Sequence, residues 1–173
     1  LAGPCHADRL VLYDFILAEL RARVPACAHR LGPIYRLLKD RRDDLLGFAR
    51  AMDDRDWAAM ADVLDDQAQG DFGTGLVTGS AAIVDLIRRF LHACGPTQHL
   101  LGNVVIDVTG DVAVSRAYIR DVHLNAIADP STRFYTLGDY RERWRRGSAG
   151  QWCLTERIKM NRAHVGPLEI FDG

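Results

Sequence analysis

Between Thr97 and His123 the chain reads TQHLLGNVVIDVTGDVAVSRAYIRDVH. Valine and isoleucine crowd both arms and Thr109-Gly110-Asp111 interrupts them, which predicts two strands joined by a tight turn. Side chains alternate faces along a strand. Ala113, Ser115, Ala117, Ile119, Asp121 and His123 therefore share one side, and Val112, Val114, Arg116, Tyr118, Arg120 and Val122 the other. The first set begins small and apolar and ends in a carboxylate and an imidazole. That is the pattern of a strand lining a cavity, with two ionisable groups at its mouth or floor. On the other arm His99 shares a face with Leu101, Asn103 and Val105, and hairpin pairing would bring His99 and His123 to one end of the sheet.

Helical periodicity precedes this hairpin. Leu10, Tyr13, Leu17, Leu20 and Val24 predict a helix over Ala7 to Val24, ended by Pro25. Leu37, Leu38, Leu45, Phe48 and Met52 predict a second from Ile34 to Met52, with Lys39 to Arg42 on its solvent side. Asp56 is suited to cap a helix from Trp57 to Leu64, and Ser80 one from Ala81 to Ala93. Between them Asp71-Phe72 reads as a short strand and Gly73 to Gly79 as a loop. After the hairpin come strands from Arg133 to Trp144 and from Trp152 to about Asn161, around a turn at Gly147 to Gly150. The tail from His164 to Gly173 contains Pro167 and is expected to be loosely ordered. Helices followed by an antiparallel meander predict an α+β fold, with helices on one face of a curved sheet. We divide the chain into an N-terminal helical extension (1–33), a main domain (34–166) and a tail (167–173).

The bulk numbers narrow the function. A chain of 173 residues, 48% hydrophobic and 26% charged, can bury a core and a ligand-sized cavity. A formal net charge of −1 and the lack of a basic stripe argue against nucleic acid. No apolar run approaches the roughly 20 residues of a membrane span, and the N-terminal residues lack signal-peptide order. Cys5, Cys27, Cys94 and Cys153 have no metal or redox spacing, so a reducing cytoplasm is expected. Arginine mixed with Trp144 and Tyr140 on the outer face of the late strands suggests a sheet-to-sheet homodimer or higher homo-oligomer.

Four strings carry a family resemblance: Met52-Asp53-Asp54-Arg55-Asp56-Trp57, Thr97-Gln98-His99, Ala117 through His123, and Gly138-Asp139-Tyr140-Arg141 through Gly150-Gln151-Trp152. In this order they resemble the SnoaL-like branch of the nuclear-transport-factor-2-like superfamily, nearest the scytalone dehydratase and bile-acid dehydratase group. The resemblance spans about Ile34 to Gly166. It implies a cone-shaped, curved antiparallel sheet wrapped on the helices and enclosing a pocket. It also implies roles. Asp53 matches the acid that orients a histidine or water, His99 the principal catalytic histidine, His123 the second histidine of scytalone dehydratase, and Asp121 an acid of the bile-acid enzymes. Two tyrosines of those enzymes fall at Met52 and Phe48 here, leaving Tyr118, Tyr135 or Tyr140 to supply a phenol. Phe72, Asn103 and Tyr140 are the expected substrate contacts.

Loss of water beside a carbonyl needs a base for the α-proton and an acid for the departing hydroxyl, and histidine serves both near neutrality. A carboxylate on the imidazole fixes its tautomer and stabilises the cation formed. The expected activity is therefore a cofactor-independent dehydratase-like lyase or isomerase acting on a hydrophobic polyketide- or steroid-like molecule. A SnoaL-type aldol cyclase and a non-catalytic ligand-binding or assembly subunit are the alternatives, since one fold serves many uses. His99, His123 and Asp121 are also the donor set of a facial metal site. Their spacing, Asp-x-His plus a distant histidine, is weak for that purpose. The resembled group uses no metal, so a metal-free site is expected.

Overall fold

The computed structural model describes residues 47–172, apart from positions 130 and 149. The helix predicted over Ala7 to Val24, and most of the one predicted over Ile34 to Met52, lie outside these residues. The described part of that second helix, α1 (47–54), buries Phe48, Ala49, Ala51 and Met52. Asp56 caps α2 (Trp57–Val63) by accepting from the Ala59 N–H at 3.0 Å. Helix α3 (Ser80–His92) buries Ile83, Val84, Ile87 and Leu91 on one side. Its N-cap is Gly79 and no side chain bonds there, so the cap expected from Ser80 is not made.

Six strands form one sheet: β1 (Leu64–Asp71), β2 (Leu76–Thr78), β3 (Cys94–Thr109), β4 (Val112–Asn125), β5 (Arg133–Arg146) and β6 (Trp152–Val165). Their order is β2-β1-β6-β5-β4-β3. β1 runs parallel to β6 and every other pairing is antiparallel, so the sheet is mixed. It does not close, and the fold is α+β. Register shifts interrupt the β1–β6, β3–β4 and β5–β6 ladders, and such bulges bend a sheet. Among the described residues no helix is long and apolar enough to cross a membrane.

The hairpin forms as predicted. Thr109 pairs with Val112 across a two-residue turn in which Gly110 takes φ 58°, a conformation glycine adopts without penalty. Ala113, Ser115, Ala117, Ile119, Asp121 and His123 are all buried and their alternates are not. β3 departs from the prediction. Between Gly102↔Tyr118 and Val105↔Arg116 it spends one residue more than β4. The extra residue reverses the alternation, so Val104, Ile106 and Val108 pack on the core while Asn103 and Val105 face out. Asn103 takes φ 48° at the bulge, a region asparagine tolerates. Tyr140 and Trp144 are likewise buried rather than on the outer face. The tail also differs from expectation: Leu168–Phe171 form a 3-10 turn, with Ile170 buried.

The small residues of β4 leave room for large neighbours. Trp144 Nε1 donates to Ser115 Oγ at 2.9 Å, and Ser115 Oγ donates to Glu142 Oε2 at 2.5 Å. Arg157 Nε and Nη2 both reach Glu142 Oε1, at 2.7 and 2.5 Å, and the guanidinium lies 3.9 Å from the centre of the Phe48 ring. Buried charges persist only when paired and hydrogen-bonded. Ser115→Ala strands both an indole N–H and a carboxylate oxygen. Urea denaturation should show a loss on the order of 2–4 kcal/mol; a loss of a few tenths would mean that the chain does not matter to the core.

Candidate active site

The C-terminus of α1 sets the first functional side chain. Asp56 N–H bonds Ala51 O at 2.9 Å and Arg55 N–H bonds Met52 O at 3.3 Å, the paired closure of a helix that ends in a left-handed residue. That residue is Arg55, at φ 59°. Its guanidinium donates to Met52 O (2.7 Å), Gly95 O (3.0 Å) and Thr97 Oγ1 (2.9 Å), fastening the helix end to the start of β3. Asp53 is thereby held against β3. Its Oδ1 accepts from Thr97 Oγ1 at 2.9 Å, its Oδ2 from the His99 backbone N–H at 2.9 Å, and Oδ1 meets His99 Nδ1 at 2.6 Å. Burial works against the charge on Asp53, but the bonds from the His99 ring and backbone and from Thr97 hold its carboxyl below the usual range. An ionised carboxylate only accepts. His99 Nδ1 therefore carries the hydrogen of this bond, and Nε2 is the ring nitrogen left to face other partners.

A second cluster sits beside it. Asp121 faces His99 across β3–β4 and is fully buried. Its Oδ1 accepts from the Thr136 N–H (3.0 Å) and hydroxyl, and its Oδ2 from Lys159 Nζ. Burial again opposes ionisation, and Lys159 and Thr136 overcome it, so the carboxyl lies below its ordinary range. Asp121 and His123 share a face of β4, but the oxygens of Asp121 are taken by Lys159 and Thr136. His123 instead stands edge-on to His99 (ring centres 5.5 Å apart) and to Phe171 (5.2 Å), and its buried Nδ1 has no partner. Burial first, with the charges of His99, Lys159 and Arg55 adding to it, pushes its pKa down to about 4 against the pull of Asp121. His123 is a neutral imidazole.

These groups border a cavity of about 240 Å³. Apolar walls come from Met52, Phe72, Leu86, Ile87, Phe90, Leu91, Phe134, Leu168 and Phe171. Polar atoms come from His99, Asp121, His123, Tyr140, Lys159, Asn161 and Thr74. Of the expected substrate contacts, Phe72 and Tyr140 line it and Asn103 does not, because the β3 bulge turns it outward. Asp53 stands behind His99. The 3-10 turn of the tail sets Phe171 against Phe90, Phe134 and His123, so the tail forms part of the wall.

Sequence reasoning passed over Lys159, Thr136, Asn161, Phe134 and Arg55. The signal for two of them was present: in Arg157-Ile158-Lys159-Met160-Asn161 the polar residues alternate with apolar ones, and it is the polar set that turns inward. His99, Asp121 and His123 offer ligand atoms within 4.8 Å of one another. As a metal site they fit poorly. Both Asp121 oxygens are engaged, and a cation bound there would confront the Lys159 ammonium.

The state of His123 can be read from stability. In the unfolded chain its imidazole takes a proton near pH 6.5, while in the folded chain it resists until about 4. Within that window the unfolded state binds more protons, so stability falls as pH drops. Relative to His123→Leu, the native protein should lose on the order of 3 kcal/mol between pH 6.5 and 4 in urea titrations. Parallel profiles for the two proteins would contradict a neutral, buried His123.

The same architecture occurs in solved structures. A protein from Novosphingobium aromaticivorans provisionally assigned as a scytalone dehydratase superposes with a TM-score of 0.69 at 15% identity, over 77% of this chain and 89% of that one. One from the same organism, provisionally assigned as an aromatic ring hydroxylase, gives 0.68 at 24% identity, over 78% and 97%. A hexachlorocyclohexane dehydrochlorinase from Novosphingobium barchaimii gives 0.67 at 15%, over 78% and 94%. At these identities the likeness establishes the fold alone. No curated protein sequence matches. The SnoaL-like domain model matches residues 42–158, well over half of the chain, and the protein therefore belongs to the SnoaL-like family.

Proposed function

We propose that this protein is a cofactor-independent lyase or isomerase that removes a proton from carbon in a small hydrophobic molecule, with dehydration as the leading reaction. The observation that carries this is the Asp53–His99 couple, whose Nδ1 is bonded to the acid while the ring borders an apolar cavity. Dehydratase and dehydrochlorinase neighbours, both lyases by name, support it. His99 Nε2 takes the α-proton, and Asp53 stabilises the imidazolium formed. The electron pair left on carbon becomes the new double bond as the β-hydroxyl departs. That oxygen receives the proton back from His99, so water leaves and the base is restored. His123, being neutral, supplies a hydrogen bond to the departing oxygen rather than a proton.

Cavity size narrows the substrate. About 240 Å³ lies below the roughly 300–1,000 Å³ of pockets that hold drug-sized ligands. One or two fused rings fit better than a four-ring steroid or the long chain that an aldol cyclase must fold. Proton abstraction can be tested without the natural substrate. In D₂O the native protein should accelerate exchange of the α-hydrogens of β-tetralone, followed by NMR. His99→Ala should slow it by ~10²–10⁴-fold, with its circular dichroism unchanged. Equal exchange by the folded variant would refute the assignment and leave a binding or assembly role.

A further inference from the structure

Abstracting an α-proton leaves negative charge on the neighbouring oxygen, and that charge needs a pre-placed donor or cation. The tyrosines that the family would use fall at Met52 and Phe48, Tyr118 is half-exposed on the outer face of β4, and Tyr135 alternates out of phase with the buried Phe134 and Thr136; Tyr140 does line the cavity, but burial raises its pKa and it offers a neutral donor rather than a cation. Lys159 is placed for the task. It lines the same cavity as His99, its side chain is 12% exposed, and it stands opposite Tyr140 in the β5–β6 ladder. Asp121 Oδ2 takes one of the three donors an ammonium carries. Thr136 fixes Asp121 in turn through its N–H and hydroxyl. The ammonium is thus one hydrogen bond away from a cluster in which His99, Asp121 and His123 present atoms within 4.8 Å of one another. A Cα–C=O unit in this cavity has its acidic hydrogen and its oxygen on neighbouring atoms, so base and ammonium on one wall can address both.

We propose that Lys159 binds the substrate's carbonyl oxygen and holds the enolate formed when His99 removes the α-proton, which makes the substrate class enolisable ketones of one or two rings. This rests on the proton-abstraction reading above. Asp121 is a positioning residue: it holds the ammonium and does not touch substrate. No bond to Lys159 forms or breaks. The proton goes from carbon to His99 Nε2, the electron pair moves to oxygen, and the hydrogen bond from the lysine N–H to that oxygen shortens and strengthens. Lysine suits the role because its charge sits on a compact tip with donors to spare.

The probe is β-naphthol, a flat two-ring mimic of the enolate whose absorbance and emission distinguish the phenol from its anion. The native protein should bind it as the naphtholate near pH 7, where a phenol of pKa about 10 is neutral in water. Lys159→Met should bind it, if at all, as the neutral phenol, and Lys159→Arg should retain the anion. Because Lys159→Met leaves Asp121 buried without its cation, Lys159→Met with Asp121→Asn is the control that removes both charges. A naphtholate spectrum in that folded double variant, or no ionised naphthol on the native protein, would overturn the proposal. His99→Ala should keep the naphtholate spectrum while losing β-tetralone exchange. In the exchange assay Lys159→Met should be slower by ~10²-fold. Exchange that persists undiminished in Lys159→Met would leave the dyad standing without an electrophilic lysine. Naphtholate binding without any exchange by the native protein would leave the lysine site standing without the dyad chemistry.

Discussion

The bond between Asp53 and His99 joins the helical layer to the sheet and also sets the protonation pattern of the cavity. Its carboxylate receives the imidazole, a backbone N–H and a hydroxyl, all from residues 97–99 of β3. For that to happen α1 must stop at one place and its last turn must face β3. Arg55 meets both demands. A side chain at φ 59° costs roughly 1–2 kcal/mol relative to right-handed backbone. The closure bonds at Met52 and Ala51, and the guanidinium's bonds to Met52, Gly95 and Thr97, offset that strain. Glycine would fit the backbone better but would lose the strap to β3. The strain and the site are consequences of one choice of residue.

Two ion pairs lie inside the sheet, and they differ in ways that follow from their cations. Arg157 is pressed between the rings of Phe48 and Tyr140, 3.9 and 4.7 Å from their centres, and both Nε and Nη2 close on Glu142. A planar, stacked guanidinium so engaged is fixed in place. It belongs to the core along with Ser115 and Trp144. Lys159 also spans to a buried carboxylate but ends at the cavity wall, with its charge on a flexible tip. The inward face of the sheet therefore grades from sealed packing around Ala113 and Ala117 to chemistry around Asp121 and His123. A single strand, β4, carries the whole gradient.

That gradient was legible because β4 keeps strict alternation from Val112 to His123, so burial there follows from sequence parity alone. Asp53 and His99 were legible too, but only through the family strings; nothing in spacing says that residues 46 positions apart meet. What escaped has physical causes. β1, LDDQAQGD, has almost no strand propensity and is held by β2 and β6 rather than by its own residues. The bulge at Asn103 is one inserted residue, invisible to a two-residue period. Lys159 reads as a surface charge, since lysine is rarely buried without a partner, and its partner lies 38 positions away. The tail looked loose because Pro167 breaks any pattern, yet Phe171 finds three aromatic neighbours only after the sheet has curved.

Crowding of positive charge decides how the two imidazoles divide their work. Their ring centres are 5.5 Å apart, and at an effective dielectric of about 20 two unit charges at that distance repel by about 3 kcal/mol. Lys159 adds a third cation to the same wall. Only one ring has a carboxylate at hand, because Asp53 is committed to His99 and Asp121 to Lys159 and Thr136. Burial keeps His123 neutral, and its neutrality in turn leaves His99 free to become the imidazolium. Asp121, held by Lys159 on one oxygen and by Thr136 on the other, makes no bond to His123, so in the proposed reaction no fixed cation stands beside the ring that accepts the proton.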